Sequence, residues 1–389
     1  MLTLKKLAIA PEASLKNAGW DWMLGENTLP YITDEVVEVS TAEAEAYHAA
    51  AEEAYELLIE AAQYVIDHDL YSQLGIPENL IEAVKISWEN DKHWHLYGRF
   101  DFSGGLDNQP IKLIEFNADT ATCIPETAVV QWASLKANGL DDGSQFNSVY
   151  ESLVESFDTI LAENPTFEAT LLIATMGGYP EDDTNMSILA EAAKEAGFEV
   201  AFAYIDDVEF SAERGIFKQN PDGSFTQFDF FFKLVPWEYI GWDEPELAAI
   251  LTAIVQKNLA VVMNPAYTLL FQSKGILKIL WDLNPDHPLL LKTSDKPLNE
   301  PQVEKVLFGR EGANVRVLDE NATLTQANEG EYSGQAVVYQ AYTPFMTDAA
   351  GYTYQAGVFI AAEPCGLGFR RGGKILDNKA QFCGHIVVG

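Results

Sequence analysis

Cysteine is scarce in this chain of 389 residues, and the three that occur, Cys123, Cys365 and Cys383, lie far apart without a CxxC pair. This pattern provides neither a disulfide framework nor a cysteine-based zinc site, and it fits a reducing compartment. The sequence also lacks an uncharged apolar run of about 18 residues, the length that a membrane span needs. Its N-terminal apolar run ends within a few residues at Pro11 and Glu12, so no signal peptide is visible. We therefore expect a cytoplasmic protein.

Basic residues are also few: 24 lysines and arginines stand against 59 aspartates and glutamates, for a formal net charge of −35. A surface this acidic repels phosphate backbones and anionic lipids, so we expect neither a nucleic-acid partner nor a membrane partner. The same charge would attract metal ions and polyamines, although solubility alone explains it equally well. Hydrophobic residues make up 48% of the chain and aromatic residues 12%, which predicts a globular protein of two or three domains.

The six histidines are scattered along the chain, and no combination of serine, histidine and aspartate or of cysteine and histidine indicates nucleophilic catalysis. His93 and His95, on either side of Trp94, form the one close pair. A metal site needs more partners than these two residues offer. We therefore interpret them as structural residues at the edge of a strand.

Two helices are predicted before residue 92. The stretch from Ser40 to about His68 is rich in alanine and glutamate with apolar residues at helical spacing, and Ser40 ahead of Glu43 is typical of a helix start. Its charged face is most simply a solvated surface. A second helix is predicted over PENLIEAVKISWEND, starting at Pro77.

The later part of the chain divides into two regions of different pattern. The segment from Ala169 to Phe210 reads as strand, glycine-containing loop, amphipathic helix and strand, which predicts a right-handed βαβ unit. We place a small parallel-sheet domain at residues 166–264, between an N-terminal part at 1–165 and a C-terminal lobe at 265–389. From Tyr267 a helical segment and then short strands with glycine at the turns predict an antiparallel α+β lobe.

Polar side chains interrupt two β-like runs, HLYGRFDF and IKLIEFN, which a turn-forming linker joins into a predicted hairpin. Side chains two residues apart on a strand share a face, so Glu115 lies on the same face as Asn117, and Arg99 on the same face as Asp101. If the strands pair, two carboxylates and an amide oxygen converge, and these are ligands that Mg²⁺ prefers. Arg99 could clamp a phosphoryl group or a developing tetrahedral intermediate.

The alternative for this hairpin is a plain solvent-facing polar surface, which antiparallel strands often have. Short acidic motifs do not distinguish the two by spacing alone. Thr120 and Thr122, just beyond the second strand, could donate hydroxyls to a carboxylate or a phosphate.

Glycine-rich stretches mark two further candidate phosphate sites. In LFGREGANV, Gly309 and Gly312 allow backbone amides to approach phosphate oxygens, and Lys305 precedes them. The second stretch, GLGF with RRGG, lies in the densest basic segment of an otherwise acidic chain, which contains Arg370, Arg371, Lys374 and Lys379. Each loop taken alone is more often a plain turn.

Two charged groups on predicted helices have simple explanations beside functional ones. Lys274 and Lys278 are one turn apart on a predicted helix, where most lysines are solvated. Glu181, Asp182 and Asp183 follow a strand and open a helix, at the edge where α/β sheets bind ligands. They would attract an amine, but complementing the helix dipole is the simpler interpretation.

Taken in order, YGRFDF, IEFNADTAT, SKGILKILW, KVLFGREGANV and GFRRGGKILDNKAQFCGHIVV resemble the glutathionylspermidine synthetase family, and most closely its standalone members without an amidase half. The resemblance covers essentially the whole chain. It implies an α/β and α+β architecture of the ATP-grasp type, with a small parallel-sheet pre-ATP-grasp domain between ATP-grasp-like segments. It also implies an ATP-dependent carboxylate–amine ligase, in which a peptide acid such as glutathione becomes an acyl phosphate and an amine such as spermidine attacks it.

The resemblance further implies a role for individual residues. Asp101, Glu115 and Asn117 would bind Mg²⁺, and Arg99 would stabilise the transferring phosphoryl group. ATP would contact Arg99, Lys274, Lys305, Gly309, Gly312, Gln340 and Lys379, with the 309–312 loop as a lid. The peptide substrate would contact Thr120, Thr122 and Arg370 or Arg371.

Two other function classes remain open from the sequence. One is a nucleotide-binding or regulatory protein of the same fold without turnover, and the other is a solute-binding α/β protein, which the βαβ segment alone would permit. The joint presence of Arg99, Asp101, Glu115 and Asn117 favours catalysis over binding. Without an amidase cysteine, hydrolysis of the product is not expected. The acid and amine, the number of metal ions and the oligomeric state are not specified by the sequence.

Overall fold

The structure is a computed structural model that describes residues 2–25, 30–140, 143–332 and 334–389. The α-helices are α1 (Glu12–Ala18), α2 (Thr41–Asp67), α3 (Ile81–Trp88), α4 (Gln131–Ala137), α5 (Val149–Glu163), α6 (Pro180–Glu195), α7 (Trp237–Asp243), α8 (Pro245–Gln256), α9 (Thr268–Gln272) and α10 (Ile276–Leu283). None of the helices in these ranges is long and apolar enough to cross a membrane.

The strands are β1 (Leu4–Lys6), β2 (Glu35–Ser40), β3 (Gly98–Ser103), β4 (Lys112–Asn117), β5 (Thr170–Thr175), β6 (Glu199–Tyr204), β7 (Val208–Ser211), β8 (Gly215–Gln219), β9 (Phe225–Phe228), β10 (Phe230–Lys233), β11 (Val261–Met263), β12 (Thr293–Ser294), β13 (Gln302–Val306), β14 (Arg316–Leu318), β15 (Leu324–Ala327), β16 (Val337–Ala341), β17 (Met346–Thr347), β18 (Thr353–Ala361), β19 (Glu363–Gly372), β20 (Gln381–Cys383) and β21 (His385–Val388). Within the described ranges they form five sheets.

Helix α2 begins where the sequence predicts and for the predicted reason. Ser40 is its N-cap: the Ser40 hydroxyl accepts a hydrogen bond from the Glu43 amide, and the Glu43 carboxylate accepts one from the Ser40 amide at 2.8 Å. This capping box satisfies two amides that the helix start leaves unpaired. The second predicted helix is shorter than expected, because a 3₁₀ turn over Glu78–Leu80 follows Pro77 before α3 begins.

The predicted hairpin is confirmed and lies inside a six-stranded sheet of order β20-β19-β18-β3-β4, with β17 beside β18. Strands β3 and β4 are antiparallel, with Arg99 opposite Asn117 and Asp101 opposite Glu115. On the other face, the rings of Phe100 and Phe116 stack 4.0 Å apart in the main hydrophobic core. Since residues alternate between faces of a strand, this packing holds the polar set together on the opposite face.

The solvent-facing alternative for the hairpin is wrong. The Asp101 side chain is only 10% exposed and that of Glu115 24%, since Arg99 packs against the first and Lys274 and Lys305 lie against the second. A polar face that is this buried needs partners for its charges.

The predicted βαβ unit is also confirmed, in a parallel sheet of order β11-β10-β5-β6 with α6 connecting β5 to β6. Leu171 and Ile173 on β5 face one hydrophobic cluster, and Leu172 and Ala174 face another. Burial on both faces explains the continuous apolar run of this strand.

A five-stranded antiparallel sheet, of order β12-β16-β13-β14-β15, follows α10 and confirms the antiparallel pattern predicted for the C-terminal region. Lys305 on β13 and Gln340 on β16 belong to this sheet. The hairpin, from the N-terminal part of the chain, pairs with β18 from the C-terminal part. The domain boundaries 1–165, 166–264 and 265–389 stay a prediction.

The prediction that Lys274 and Lys278 lie one turn apart on one helix is wrong. Helix α9 ends at Gln272 and α10 begins at Ile276, so Lys274 lies between the two. The break occurs at Ser273, which has extended backbone and whose hydroxyl donates to the Leu74 carbonyl at 2.6 Å. Lys274 is thereby turned into the interior, whereas Lys278 pairs with Asp282 on α10.

Candidate functional site

The three predicted metal-binding residues lie together on the polar face of the hairpin. Arg99 holds Asp101 through two donors, Nε to Oδ1 at 2.9 Å and Nη2 to Oδ2 at 3.3 Å. The Asn117 amide nitrogen donates to the same Asp101 Oδ2 at 3.1 Å. Glu115 lies directly opposite Asp101 in the strand register. We refer to Arg99, Asp101, Glu115 and Asn117 as the hairpin cluster.

Arg99 is fixed by a third contact and by the absence of a side chain beside it. Its Nη1 donates to the Thr122 carbonyl at 2.7 Å. Gly357 on β18 leaves room for it, since a Cβ there would stand 3.1 Å from Arg99 Cδ. Burial opposes the charge, but Asp101 and other neighbouring groups raise the pKa of Arg99 above its usual value. The guanidinium is therefore a permanent, oriented cation.

Glu115 connects the hairpin cluster to two buried lysines. Its Oε2 lies 3.4 Å from Lys274 Nζ and 4.0 Å from Lys305 Nζ. Burial would raise the pKa of Glu115, but Lys274 and Lys305 outweigh it and lower that pKa. Burial lowers the pKa of Lys305 to about 8, against the attraction of Glu115. Because their ammonium groups attract negative charge, these two lysines could also bind an anionic group that enters beside Glu115.

The two lysines line a cleft between the five-stranded sheet and the hairpin. Lys274 Nζ also donates to the Gly309 carbonyl at 2.7 Å, and Lys305 Nζ donates to Gln340 Oε1 at 2.8 Å. Gly312, with a φ of +66°, lies so close to the 375–376 backbone that a Cβ would be 2.3 Å from the Leu376 carbonyl. The cleft has mostly apolar walls, which include Leu291, Val303, Val315, Val317, Phe345 and Leu376. It therefore joins a polar, cationic end to an apolar pocket.

Of the four C-terminal basic residues singled out from the sequence, Lys374 lines this cleft and Lys379 lies outside its lining with an exposed side chain. Arg370 and Arg371, as neighbours on β19, point to opposite faces. Arg370 donates to the Asp377 carbonyl at 3.0 Å and lies beside Cys123, whereas Arg371 pairs with Glu35 at 2.9 Å. Of the two arginines, Arg370 lies on the side of Arg99, and the Arg99 charge contributes to the electrostatic surroundings of Arg370.

Thr120 contacts a residue that sequence reasoning missed. Its Oγ1 accepts a hydrogen bond from Arg310 Nη1 at 2.7 Å, and Arg310 Nη2 forms an ion pair with Glu238, which is fully buried. Arg310 thereby ties the 309–312 loop to the parallel-sheet region. The scarcity of arginine in this chain is a signal that could have singled out Arg310, but nothing local identifies Glu238.

Asp119, between the hairpin and Thr120, has a structural role. It forms an ion pair with Lys233 at 3.0 Å, in which both side chains are fully buried, and it accepts a hydrogen bond from the Trp237 amide at 2.9 Å. This pair fixes the chain that carries Thr120 and Thr122 against the end of β10. No pattern in the sequence identifies Lys233 as this partner.

The acidic residues at the start of α6 are only partly explained by the helix end. Asp183 accepts hydrogen bonds from Thr175 at 3.1 Å and Tyr204 at 3.3 Å. Burial, with Glu311 adding to it, raises the pKa of Glu181, and burial together with the adjacent acids raises that of Asp182 to about 6. Carboxylates that repel one another in this way would be stabilised by a cation placed among them.

In the described ranges, no three histidine, cysteine, aspartate or glutamate side chains are arranged to hold a metal ion. The hairpin cluster provides two carboxylates and one amide instead. Mg²⁺ usually takes one or two carboxylates from the protein and completes its shell with water and phosphate oxygens. The donor set therefore fits Mg²⁺.

All three cysteines are free thiols and buried. The compartment of the protein stays a prediction.

Comparison with known proteins identifies relatives of this chain. The family model described as glutathionylspermidine synthase preATP-grasp matches residues 4–388. A Haemophilus influenzae protein provisionally named acid–amine ligase is 28% identical and matches over 96% of both chains. The bifunctional glutathionylspermidine synthetase/amidase of Escherichia coli is 25% identical over 75% of this chain and 49% of its own length. Trypanothione synthetase of Crithidia fasciculata is 23% identical over 82% of this chain and 51% of its own length. The chain thus spans about half the length of these last two relatives.

A solved structure shares the fold. The glutathione synthetase-like effector of Globodera pallida superposes with a TM-score of 0.55, at 11% sequence identity, over 99% of this chain and 100% of its own. The predicted ATP-grasp-like fold class and the predicted family resemblance are both confirmed. The chain belongs to the glutathionylspermidine synthase preATP-grasp family, a family of ATP-dependent ligases that join an acid to an amine.

Proposed function

We propose that this protein uses ATP and Mg²⁺ to join the carboxylate of a small peptide acid to an amine. The observation that carries the proposal is the position of Glu115, which lies opposite Asp101 in the hairpin cluster and beside Lys274 and Lys305 in the cleft. A group that binds the lysines through its phosphates would therefore place those phosphates at the oxygen donors of the hairpin. Phosphoryl transfer needs this combination of positive charge and positioning more than covalent help from the protein.

The cleft supports ATP as the nucleotide. Its apolar walls, among them Leu291 and Val317, are suited to a flat base, and Gln340 lies beside Lys305, from which it accepts a hydrogen bond. In this proposal Lys274 and Lys305, which both lie beside Glu115, would bind the phosphates together with the backbone of Gly309 and Gly312. Positive charge is scarce in this chain, so its concentration here favours a polyanionic ligand.

Asp101, Glu115 and Asn117 would hold Mg²⁺, which neutralises phosphate charge when bound. Asn117 now turns its amide nitrogen to Asp101, and a half turn of that amide would offer its oxygen in the same direction. Arg99 keeps its charge and its orientation throughout, and it would stabilise negative charge on the phosphoryl group and then on the tetrahedral intermediate.

The reaction proposed here has two steps. In the first, a carboxylate oxygen of the acid attacks the terminal phosphorus of ATP, the bond to the bridging oxygen breaks, and an acyl phosphate and ADP form. In the second, the amine nitrogen attacks the acyl carbon, the carbon–oxygen bond to phosphate breaks, and the amine loses a proton. The products are the amide, ADP and phosphate.

The two substrates are proposed by chemistry and by the names of the relatives. The segment at Thr122 and Arg370 lie on the side of Arg99, where an acid would be activated, and Thr120 precedes that segment and contacts Arg310. Glu181 and Asp182 supply negative charge suited to an amine. A glutathione-like acid and a spermidine-like polyamine have the charges that these residues suit. The relatives named for glutathionylspermidine and trypanothione synthesis support the same pair.

An omission experiment tests the proposal. Purified protein is incubated with Mg²⁺, ATP, glutathione and spermidine, and ADP release is measured with each component left out in turn. We expect ADP release only when all four components are present. If glutathione and spermidine are inactive, the same measurement is repeated over other peptide acids and amines. ATP binding without turnover for any pair would instead support a nucleotide-binding protein that has lost catalysis.

A further inference from the structure

A second cavity, of about 330 Å³, lies beside α2 and the end of α3. Every described residue that lines it differs from those that line the nucleotide cleft. Its size is near the lower end of the range for small-molecule sites, roughly 300–1,000 Å³. We call it the aromatic cavity and define it by Tyr55, Trp88, Asp91, His93, Trp94 and Tyr267.

Aromatic rings form much of its wall. Trp88 packs edge-on against Tyr267 with ring centres 5.4 Å apart, and the Trp88 indole N–H is already bonded to Gln63 at 2.9 Å. Trp94 is 37% exposed although tryptophan is a large apolar residue. Faces of Trp and Tyr rings attract cations through their quadrupole.

The charge around the aromatic cavity favours a cation. Asp91, an exposed residue, is the one carboxylate in the described lining. Helix α2, which contributes Tyr55 to the wall, also carries exposed Glu52, Glu56 and Glu60. In a chain with a net charge of −35, the local field attracts positive ligands and repels anions.

His93 supplies an unused hydrogen-bonding group. It is only 3% exposed, and neither ring nitrogen has a hydrogen-bond partner in the part of the chain that the structure describes. Burial, with a smaller effect of Lys92, lowers the pKa of His93 to about 4. The ring is therefore neutral at pH 7 and does not repel a cation, and one of its nitrogens, both of which are buried in this structure, can accept a hydrogen bond from a ligand if the ring turns toward the cavity. Buried polar groups without a partner are rare in proteins and point to a missing one.

We propose that the aromatic cavity binds a small organic ammonium ion, with its charge against the ring faces and Asp91 and one N–H donated to His93. This site is separate from the proposed amine position at Glu181 and Asp182. It does not depend on the proposed ligase activity, because the aromatic cavity shares no described lining residue with the nucleotide cleft.

The experiment compares three probes of equal chain length, butylammonium, 1-butanol and butyrate, by calorimetry and by ¹H NMR of the tryptophan indole protons. We expect butylammonium to bind at least tenfold more tightly than 1-butanol, and butyrate not to bind. Trp94→Ala should weaken butylammonium binding roughly 3- to 30-fold, the range of a cation–π contact. Asp91→Asn should weaken it severalfold, and less so at high salt because the carboxylate is exposed.

Matched controls locate the effect. Trp132→Ala removes a tryptophan of nearly the same exposure, 36%, from α4, and Asp158→Asn removes an exposed carboxylate from α5; both should bind as the wild type does. Equal affinity for butylammonium and 1-butanol would overturn the proposal. Wild-type affinity for butylammonium in both Trp94→Ala and Asp91→Asn would also overturn it, because the ammonium ion would then bind elsewhere. If Glu181→Gln abolished binding in that case, the ion would bind at the start of α6.

Discussion

Asp101 and Glu115 face each other across the β3–β4 hairpin, and each is neutralised by a different cation. Asp101 pairs with Arg99 at 2.9 Å, and Glu115 with Lys274 at 3.4 Å. Each of the two carboxylates thus has its own positive partner, which offsets the repulsion between two acids that lie side by side in a mostly buried place. The arrangement also means that ligand binding must redistribute these partners, because phosphates would compete with Glu115 for its lysines.

This competition gives a prediction for Glu115→Gln. Without Mg²⁺, the variant should bind a non-hydrolysable ATP analogue at least as tightly as the wild type, since a carboxylate no longer competes for Lys274 and Lys305. With Mg²⁺, the variant should bind the analogue at least about tenfold more weakly than the wild type does. Even the loss of a residue that only supports a metal ligand lowers metal affinity roughly 10- to 100-fold. Calorimetry in EDTA and in Mg²⁺ measures both effects.

The control for that variant is Glu213→Gln, which removes a glutamate from an exposed ion pair with Lys257 at 2.6 Å. It should leave both affinities unchanged, and circular dichroism should show an intact fold for each variant. If Glu115→Gln keeps the full Mg²⁺ dependence, Glu115 is not a metal ligand and the polar face of the hairpin is structural.

A second prediction concerns Arg310. Arg310→Met should lower the free energy of unfolding by about 3–5 kcal/mol, because it leaves the fully buried Glu238 without its partner. Thr120→Val removes only one hydrogen bond from the same guanidinium and should cost about 1 kcal/mol. The double variant Arg310→Met with Glu238→Gln should be more stable than the sum of the single changes predicts. Urea unfolding measures the set, and simple additivity would show that the two residues do not depend on each other.

A third prediction separates activity from stability at Gly357. The added Cβ of Gly357→Ala would stand 3.1 Å from Arg99 Cδ and displace it by a few tenths of an ångström. Because a misplacement of about 1 Å can cost roughly a hundredfold in rate, we expect kcat to fall severalfold with little change in thermal stability. Gly373→Ala, where the nearest neighbouring atom would be 4.0 Å away, should behave as the wild type. A loss of stability that accounts for the loss of activity would contradict this prediction.

A fourth prediction follows from Glu126, a fully buried residue that accepts a hydrogen bond from Tyr31 at 2.6 Å. Burial raises its pKa to about 7, above an unfolded value near 4.5. Between these two values the folded state holds a proton that the unfolded state has lost, so stability falls as pH rises. The contribution present at pH 4 and lost by pH 8 is about 3 kcal/mol.

Glu126→Gln should remove this dependence, since glutamine does not titrate and can still accept the hydrogen bond from Tyr31. Urea unfolding at pH 5 and at pH 8 should therefore show the variant gaining stability over the wild type at the higher pH. Glu155→Gln, an exposed change on α5, should run parallel to the wild type. A parallel profile for Glu126→Gln would mean that Glu126 is ionised throughout.

The hairpin cluster could be predicted because its geometry is local. Strand alternation and one short linker decide which side chains of residues 98–117 share a face, and the phenylalanines on the opposite face fix the choice. The capping of α2 by Ser40 and the βαβ unit are predictable for the same reason, since each depends on residues close in sequence.

The partners of the 309–312 loop and of Asp119 could not be predicted from the sequence. Arg310 meets Glu238 across 72 residues and Lys233 meets Asp119 across 114. The break that turns Lys274 inward depends on Leu74, which is 199 residues away from Ser273. Contacts at such separations are set by the packing of whole elements, and no spacing rule in the sequence reports them.

The order of strands in the six-stranded sheet has a consequence for biosynthesis. Strand β3 pairs with β4 on one side and, on the other, with β18, which comes much later in the sequence. During translation, the hairpin leaves the ribosome well before β18 exists, so the edge of β3 stays unpaired until β18 has been made. A truncated product that ends before β18 should therefore lack a formed active centre and expose a strand edge to chaperones or to aggregation.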